Sequence, residues 1–305
     1  MHVHRSAVRT SLAGGTALSP SDLTAVLLVR EEDDLSTGRA APPMPTLTVR
    51  EIPHAVRALG ALGVRSVKIF AGSRVRDALA SQSVSPHGLM MRAIREVKET
   101  EPDVAVTTET CVCSHTESAE CYLATDGRPD VEATGRVLAE QAVAQAEAGA
   151  DIVGPAAMIP GTTAAVRAAL DEAGQHDVAI MPHLIFDSVL YEGYRTTMRA
   201  APASGQRAFQ ILPGYPDQAV QTGLAFVGEG ADMLLLEPGL FTLDTLVRLR
   251  RMGTAPLMPF AVSGEYRWLT ADGDMRPLIE AFTVLKRAGA ERIVTYGAAE
   301  VARAL

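Results

Sequence analysis

Only three of the 28 basic residues in this 305-residue chain are lysines, Lys68, Lys98 and Lys286. Cysteine is as scarce, with three in all. The odd count, and a length that buries a large core without staples, exclude a disulfide framework. No basic run is present, and 28 basic against 36 acidic residues give a formal net charge of −8, which argues against nucleic acid and anionic membrane as partners. No apolar run approaches the roughly 20 residues that span a bilayer. The opening "MHVHRSAVRTSLAGG" lacks the apolar core of a secretory leader, so the expectation is a cytoplasmic protein with reduced thiols. No glycine-rich phosphate loop follows the first candidate strand, and no short repeat is evident. What remains is ordinary globular composition, 47% hydrophobic and 21% charged, enough for one large domain or two small ones.

The scarce cysteines are not scattered. Cys111, Cys113 and Cys121 all fall in "TETCVCSHTESAECYL" (108–123). Buried thiols packed as small hydrophobes are one explanation. A metal site is the other: three thiolates are soft ligands suited to zinc, and three protein ligands leave a fourth position for water or substrate. His115 or an external group is the candidate for that position. The C-x-C-x7-C spacing is not a common finger pattern.

Short apolar runs at 24–29, 66–70, 104–109, 151–155, 178–184, 232–238, 257–263 and 292–296 read as strands. Between them lie amphipathic patterns such as "VREIPHAVRALGALG" and "VEATGRVLAEQAVAQAEAGA". The segments "AGAD" and "GEGAD" use one device twice, a glycine helix stop followed by entry into a buried strand. Eight strands with helical crossovers predict an α/β fold, a (β/α)8 TIM barrel over 21–305. An open doubly wound sheet is the runner-up. The proline-rich stretch 39–48 reads as an extended loop, and 185–215 as a long irregular lid. Barrel chemistry lies at the carboxyl ends of strands. Those ends carry Glu109 with Cys111 and Cys113, then Ala156, His183, Glu237, Ser263 and Tyr296; the lid adds Tyr191, Arg195, Arg207 and Gln210. A lone strand-end Ser or Tyr is commonly scaffold, and Arg195 and Arg207 are equally readable as solvated loop charges.

The motifs "CVCSHTESAEC", "AEAGADIVGPAAM", "YEGYR", "EGADMLLLEPG", "FAVSGEY" and "KRAGAERIVTY", in this order, make the chain resemble the porphobilinogen synthase (5-aminolevulinate dehydratase) family along nearly its whole length. The resemblance implies the barrel, a short N-terminal arm (1–20), zinc on Cys111, Cys113 and Cys121, and homo-oligomers from dimer up to octamer. It also implies a small carboxylate substrate, gripped by Arg195, Arg207 and Gln210 on one side and by Ser263 and Tyr296 on the other, with Tyr191 in the lid. The family condenses two amino-keto acids into a pyrrole through two Schiff-base lysines. Ile185 or Phe186 holds the first lysine's place and Glu237 the second's, while Ala157, Pro160 and Thr162 replace two aspartates and an arginine. Glu109 stands where the family has an aspartate.

The expectation is therefore a zinc-dependent lyase or condensing enzyme for one or two small amino or keto carboxylic acids, working without lysine imines, in a specialised biosynthetic pathway. Glu237 would act as an acid/base group or ammonium partner, with Glu109, His183 or Asp187 sharing proton transfer. Its strand is buried, so it needs a cationic partner: zinc, a lid arginine or a substrate amine. Two alternatives stand beside this. Lys68, in the apolar strand "SVKIF", is a relocated Schiff-base amine, or the chain is a non-catalytic paralogue that binds or regulates.

Overall fold

The computed structural model describes residues 17–32, 42–202, 205, 207–253 and 255–305. Of the arm expected over 1–20, residues 1–16 lie outside the described residues. Strands and helices alternate along the chain: β1 (Leu23–Val29), β2 (Ser66–Ala71), β3 (Ala105–Thr108), β4 (Ile152–Val153), β5 in two halves (Ala179–Ile180 and His183–Ile185), β6 (Leu234–Glu237), β7 (Leu257–Ala261) and β8 (Ile293–Thr295). All pair in parallel with their neighbours, and β1 joins both β2 and β8. The first half of β5 pairs with β4 and the second with β6, so the sheet closes on itself as a TIM barrel. The run expected as one strand over 178–184 is thus divided. Pro182 has no N–H for a ladder, and its carbonyl accepts from Leu235 N at 3.1 Å. The chain changes partner there.

Parallel strands covered by helices are buried on both faces and read as continuous apolar runs. In β2 all six residues are buried, Lys68 among them at 0% exposure. The helix Val131–Glu147 starts on Asp130, whose side chain accepts from Ala133 N at 2.9 Å. It ends before Gly149 at φ 109°, as Pro216–Gly228 ends before Gly230 at φ 100°, conformations that favour glycine. The aspartate that follows each glycine then pegs a neighbouring strand: Asp151 accepts from Val106 N at 2.7 Å and Asp232 from Ile180 N at 2.8 Å. "AGAD" and "GEGAD" are therefore a turn plus a peg.

Two expectations change in detail. The pattern "VREIPHAVRALGALG" splits into a 3-10 turn, Val49–Glu51, and a helix, Ile52–Ala61. The stretch 185–215 is not irregular throughout. It holds a 3-10 turn, Val189–Tyr191, capped by Ser188, and a helix, Glu192–Met198, that stops at Arg199 with φ 52°. The extended reading of 39–48 holds where it is described: Leu47 accepts from Arg30 N and donates to Leu28 O alongside the end of β1.

Candidate active site

The carboxyl ends of the strands enclose a cavity roofed by the Glu192–Met198 helix. Among the sequence-predicted residues, Glu109, Cys113, Cys121, His183 and Glu237 line it from the barrel. Tyr191, Arg195, Arg207 and Gln210 line it from above, and Ser263 and Tyr296 from the far side. Asp187 does not belong to it. After β5 the chain turns outward to bridge Ile211, and Asp187 lies in an outer groove with Ser188, Val189 and Phe241. Its carboxylate is 3.9 Å from Arg195 Nη2, so its place is behind the arginine rather than at the cavity wall.

One wall grows from the end of β3. Gln145 clamps that end: its amide N–H donates to Glu109 O at 2.9 Å, while its carbonyl accepts from the hydroxyls of Thr108 and Thr110 at 2.7 Å each. The chain beyond brings Cys111, Cys113 and Cys121 together, all buried, with their sulfurs within 4.8 Å of one another. Arg207 Nη1 donates to Cys121 Sγ and to Ala119 O, both at 2.9 Å, and Nη2 donates to Ala200 O. Hydrogen bonds from the Cys111 and Cys113 thiols hold Cys121 well below the usual thiol range. Sharing the same bonds pushes Cys111 well above it. Three soft sulfurs brought this close fit a zinc-like cation with a fourth position left over. His115 is not in the cluster; burial lowers it to about 4, and its Nδ1 has no hydrogen-bond partner. Glu109, raised to about 8 by burial and by Cys113, accepts from Tyr194 Oη at 3.0 and 3.2 Å.

The other wall joins three strands. Lys68 Nζ donates to Thr108 O at 3.0 Å and meets His183 Nε2 at 2.9 Å. On the far side of the same ring, His183 Nδ1 is 2.8 Å from Glu237 Oε1. Burial and the Lys68 charge hold His183 well below the usual range, so the ring is neutral and the contact with Glu237 is a hydrogen bond, not an ion pair. Burial raises Glu237 to about 7, against the pull of Lys68, and lowers Lys68 to about 8, against the pull of Glu109 and Glu237. The cationic partner expected for Glu237 is therefore Lys68 acting through His183, a route the sequence reading did not contain. Lys68 itself lies behind His183 and is not among the lining residues.

The lid is pinned from below. Ser263 Oγ donates to Leu190 O at 3.0 Å and accepts from Tyr194 N at 3.1 Å, which is the scaffold role open to a lone serine. The Arg195 guanidinium lies 5.2 Å over the Tyr191 ring and reaches Glu192 at 3.3 Å. Tyr296 Oη and Gln210 Oε1 are buried without a hydrogen-bond partner. Orphaned polar atoms at a cavity wall are what a ligand or water satisfies. Sequence reading missed Tyr194 and Gln145. Tyr194 sits in "YEGYR", three positions after Tyr191, and helical spacing was the available signal; Gln145 carried none.

The sequence matches the family model described as delta-aminolevulinic acid dehydratase over residues 2–304. The chain belongs to that family. The delta-aminolevulinic acid dehydratase of Methanothermobacter thermautotrophicus is 35% identical over 94% of this chain and 90% of that protein. The Escherichia coli one is 32% identical over 94% and 91%. Among solved structures, the delta-aminolevulinic acid dehydratase (porphobilinogen synthase) of Toxoplasma gondii, in complex with the reaction product porphobilinogen, superimposes with a TM-score of 0.91 at 28% identity, covering 99% of this chain and 89% of that one. Members of the family are metal-dependent lyases, and the buried cysteine cluster here suits such a metal. No described helix is long and apolar enough to cross a membrane.

Proposed function

We propose that this member of the delta-aminolevulinic acid dehydratase family is a zinc-dependent lyase or condensing enzyme for one or two small amino or keto carboxylic acids, and that it works without lysine imines. The observation that carries this reading is a cavity holding thiols, two carboxyls and two guanidiniums but no amine. All three lysines of the chain are engaged elsewhere: Lys98 on Asp151, Lys286 on Asp22, and Lys68 on His183 and Thr108 O.

Cys111, Cys113 and Cys121 would hold the zinc, which supplies Lewis acidity toward a carbonyl or water. Arg195 and Arg207 present planar forks suited to a carboxylate. Gln210 and Tyr296 complete the grip, Ser263 pins the lid segment that carries Tyr194, and Tyr191 lies beneath Arg195. Glu237 receives a substrate ammonium or exchanges a proton with the substrate, and Glu109, steered by Tyr194, is the second acid/base group. His183 acts through Glu237. The lid 185–215 excludes water over a barrel spanning 21–305. Relatives are named for aminolevulinate, and the Toxoplasma gondii structure holds porphobilinogen. This chain would handle the same class of small carboxylate with different chemistry, in a specialised biosynthetic pathway, as a cytoplasmic homo-oligomer between dimer and octamer.

Imine formation on Lys68 is the competing reading, favoured by its lowered proton affinity and opposed by its position behind His183. Borohydride reduction of the zinc-loaded protein with 5-aminolevulinate, followed by intact-mass and peptide analysis, separates the two. The expected result is no adduct and no pyrrole in a colorimetric assay. A reduced adduct on Lys68 would overturn the proposal.

A further inference from the structure

The structure holds a lysine where an apolar strand has no ordinary use for one. Lys68 is fully buried in β2, in a strand whose other five residues are also buried and carry no charge. An ammonium has three donors and no acceptor. Because Nζ lies 2.9 Å from His183 Nε2, that nitrogen must accept, and the single ring proton of a neutral imidazole is left on Nδ1. Nδ1–H then points at Glu237 Oε1, 2.8 Å away. The space for this contact comes from Gly154. A Cβ there would fall 2.5 Å from Thr108 O, 3.0 Å from His183 Nε2 and 3.2 Å from Lys68 Nζ. Lysine, histidine, glutamate and glycine from four strand regions thus form one fitted unit.

We propose that Lys68 is a positioning residue: its ammonium fixes the tautomer of His183, so that His183 donates to Glu237 and orients that carboxylate at the cavity wall. The consequence for binding rests on the reading of Glu237 as the partner of a substrate ammonium; the tautomer itself does not. An unpaired carboxylate buried in this strand would take up a proton rather than stay charged. The lysine supplies the compensating charge without entering the cavity, and the neutral ring transmits orientation. The groups facing Glu237 are Lys68 from β2, His183 from β5, Arg195 and Arg207 from the lid, with Tyr191, Tyr296 and Glu265 around it. Removing Lys68 takes away the largest influence lowering the Glu237 proton affinity. The carboxyl then keeps its proton to higher pH.

The test is nitrogen-15 NMR of the imidazoles in the zinc-loaded full-length protein, with His183→Gln assigning the signal. Wild type is expected to show a single Nδ1-protonated tautomer for His183. Lys68→Met, which keeps the stem length without the charge, should give a mixed or reversed tautomer. Gly154→Ala, which leaves all three side chains present but intrudes on their contact, should do the same. Lys68→Arg, again a pure donor, should restore the wild-type signature if it folds. An unchanged His183 tautomer in a folded Lys68→Met protein overturns the proposal, even if that protein is less stable. The second readout is the binding of 5-aminolevulinate relative to levulinate, which differs from it by the amine alone, as a function of pH. The preference should set in at a pH higher by a unit or more in Lys68→Met. An unshifted onset also overturns it. If wild type shows no preference between the two acids, the ammonium reading of Glu237 falls while the tautomer result still decides the role of Lys68.

Discussion

The two walls of the cavity solve the same problem, keeping charge in a buried place, by different means. The β3 wall gathers its charge locally: three sulfurs within thirteen residues of Glu109, with Arg207 brought in to bond Cys121. The wall of β2, β5 and β6 gathers it from afar. Lys68, His183 and Glu237 are separated by more than fifty positions at each step and meet only because parallel strands bring their ends into register. The first wall is built to hold something added, since its thiols repel one another's charge until a cation arrives. The second is complete in itself, a chain of donors and acceptors ending at a carboxyl. A buried network of this kind is either fully satisfied or costly. Under the proposed function, the first wall supplies electrophilic chemistry and the second recognises a positive group.

Breaking the β3 wall should have the largest effect. Cys113→Ala is expected to lower zinc from one per chain to a small fraction and to weaken metal affinity by about two orders of magnitude or more, given that lesser changes around metal ligands already cost ~10–100-fold. Elemental analysis and chelator competition measure it. Full zinc occupancy in that variant would return the thiols to the status of core packing.

Breaking the other wall should leave the metal alone. Glu237→Gln is expected to keep zinc and to weaken 5-aminolevulinate by about 10–100-fold while changing levulinate little, the range of a hydrogen bond to a charged group. Isothermal calorimetry with both acids reads the difference. Equal losses for the two would mean that Glu237 only fills the place it occupies.

Arg207 touches both the sulfur cluster and the roof, so Arg207→Lys sharpens the boundary between the walls. A lysine keeps the charge but not the fork that bonds Cys121, Ala119 O and Ala200 O together. The expected effect is smaller, about 10-fold on carboxylate binding and about as much on zinc affinity. A loss in carboxylate binding with zinc affinity untouched would uncouple lid from metal.

The walls also differ in how legible they were. The cysteine window stood out because its residues are neighbours in sequence and rare elsewhere. The barrel was legible because parallel strands buried on both faces leave apolar runs, and the "AGAD" and "GEGAD" glycines mark where helices stop. The break in β5 followed from Pro182, visible in the sequence but read through as part of a strand. Asp187 was named from its place just after a strand end, and the sequence does not show that the chain already bridges to Ile211 at Phe186, which sets Asp187 in the outer groove. The partner of Glu237 was illegible for a more general reason. Lys68 stood out in an apolar strand and His183 was one strand-end candidate among several, but only strand register says that one ring nitrogen faces each neighbour. Gly154 read as part of a family motif, and its role as the space for a side-chain contact is a three-dimensional fact.

The smallest effect is on stability, and it tests whether the second wall stays buried and coupled in solution. Glu237 is raised to about 7 by burial, from an ordinary value of 4.5. Below the ordinary value it is protonated in both folded and unfolded chains. Between there and about 7 the unfolded chain releases the proton while the folded one retains it, so stability falls as pH rises through this window. Glu265 is raised to about 7 by burial and acts in the same direction, moderated by N–H donors from Gly239, Leu240 and Val262 that favour its charged form. Lys68, lowered to about 8 by burial, acts with the opposite sign at higher pH: the unfolded chain holds its proton longer, so stability recovers between about 8 and 10.5. Glu109, raised to about 8 mainly by burial, adds to the decline, whereas His115, lowered to about 4, and His183, lowered well below 6.5, make stability rise with pH up to about 6.5. The net decline in melting temperature should therefore fall between about pH 6.5 and pH 8, about 2–4 °C for each kcal/mol at this length, with partial recovery above it. Differential scanning calorimetry in matched ionic strength reads the profile. Glu237→Gln should lessen the decline, leaving the share of Glu109 and Glu265, and Lys68→Met should remove the recovery and leave the decline in place. A profile in wild type that rises from pH 6.5 to pH 8 would mean that water or a counter-ion reaches Glu237, and that the wall is not sealed.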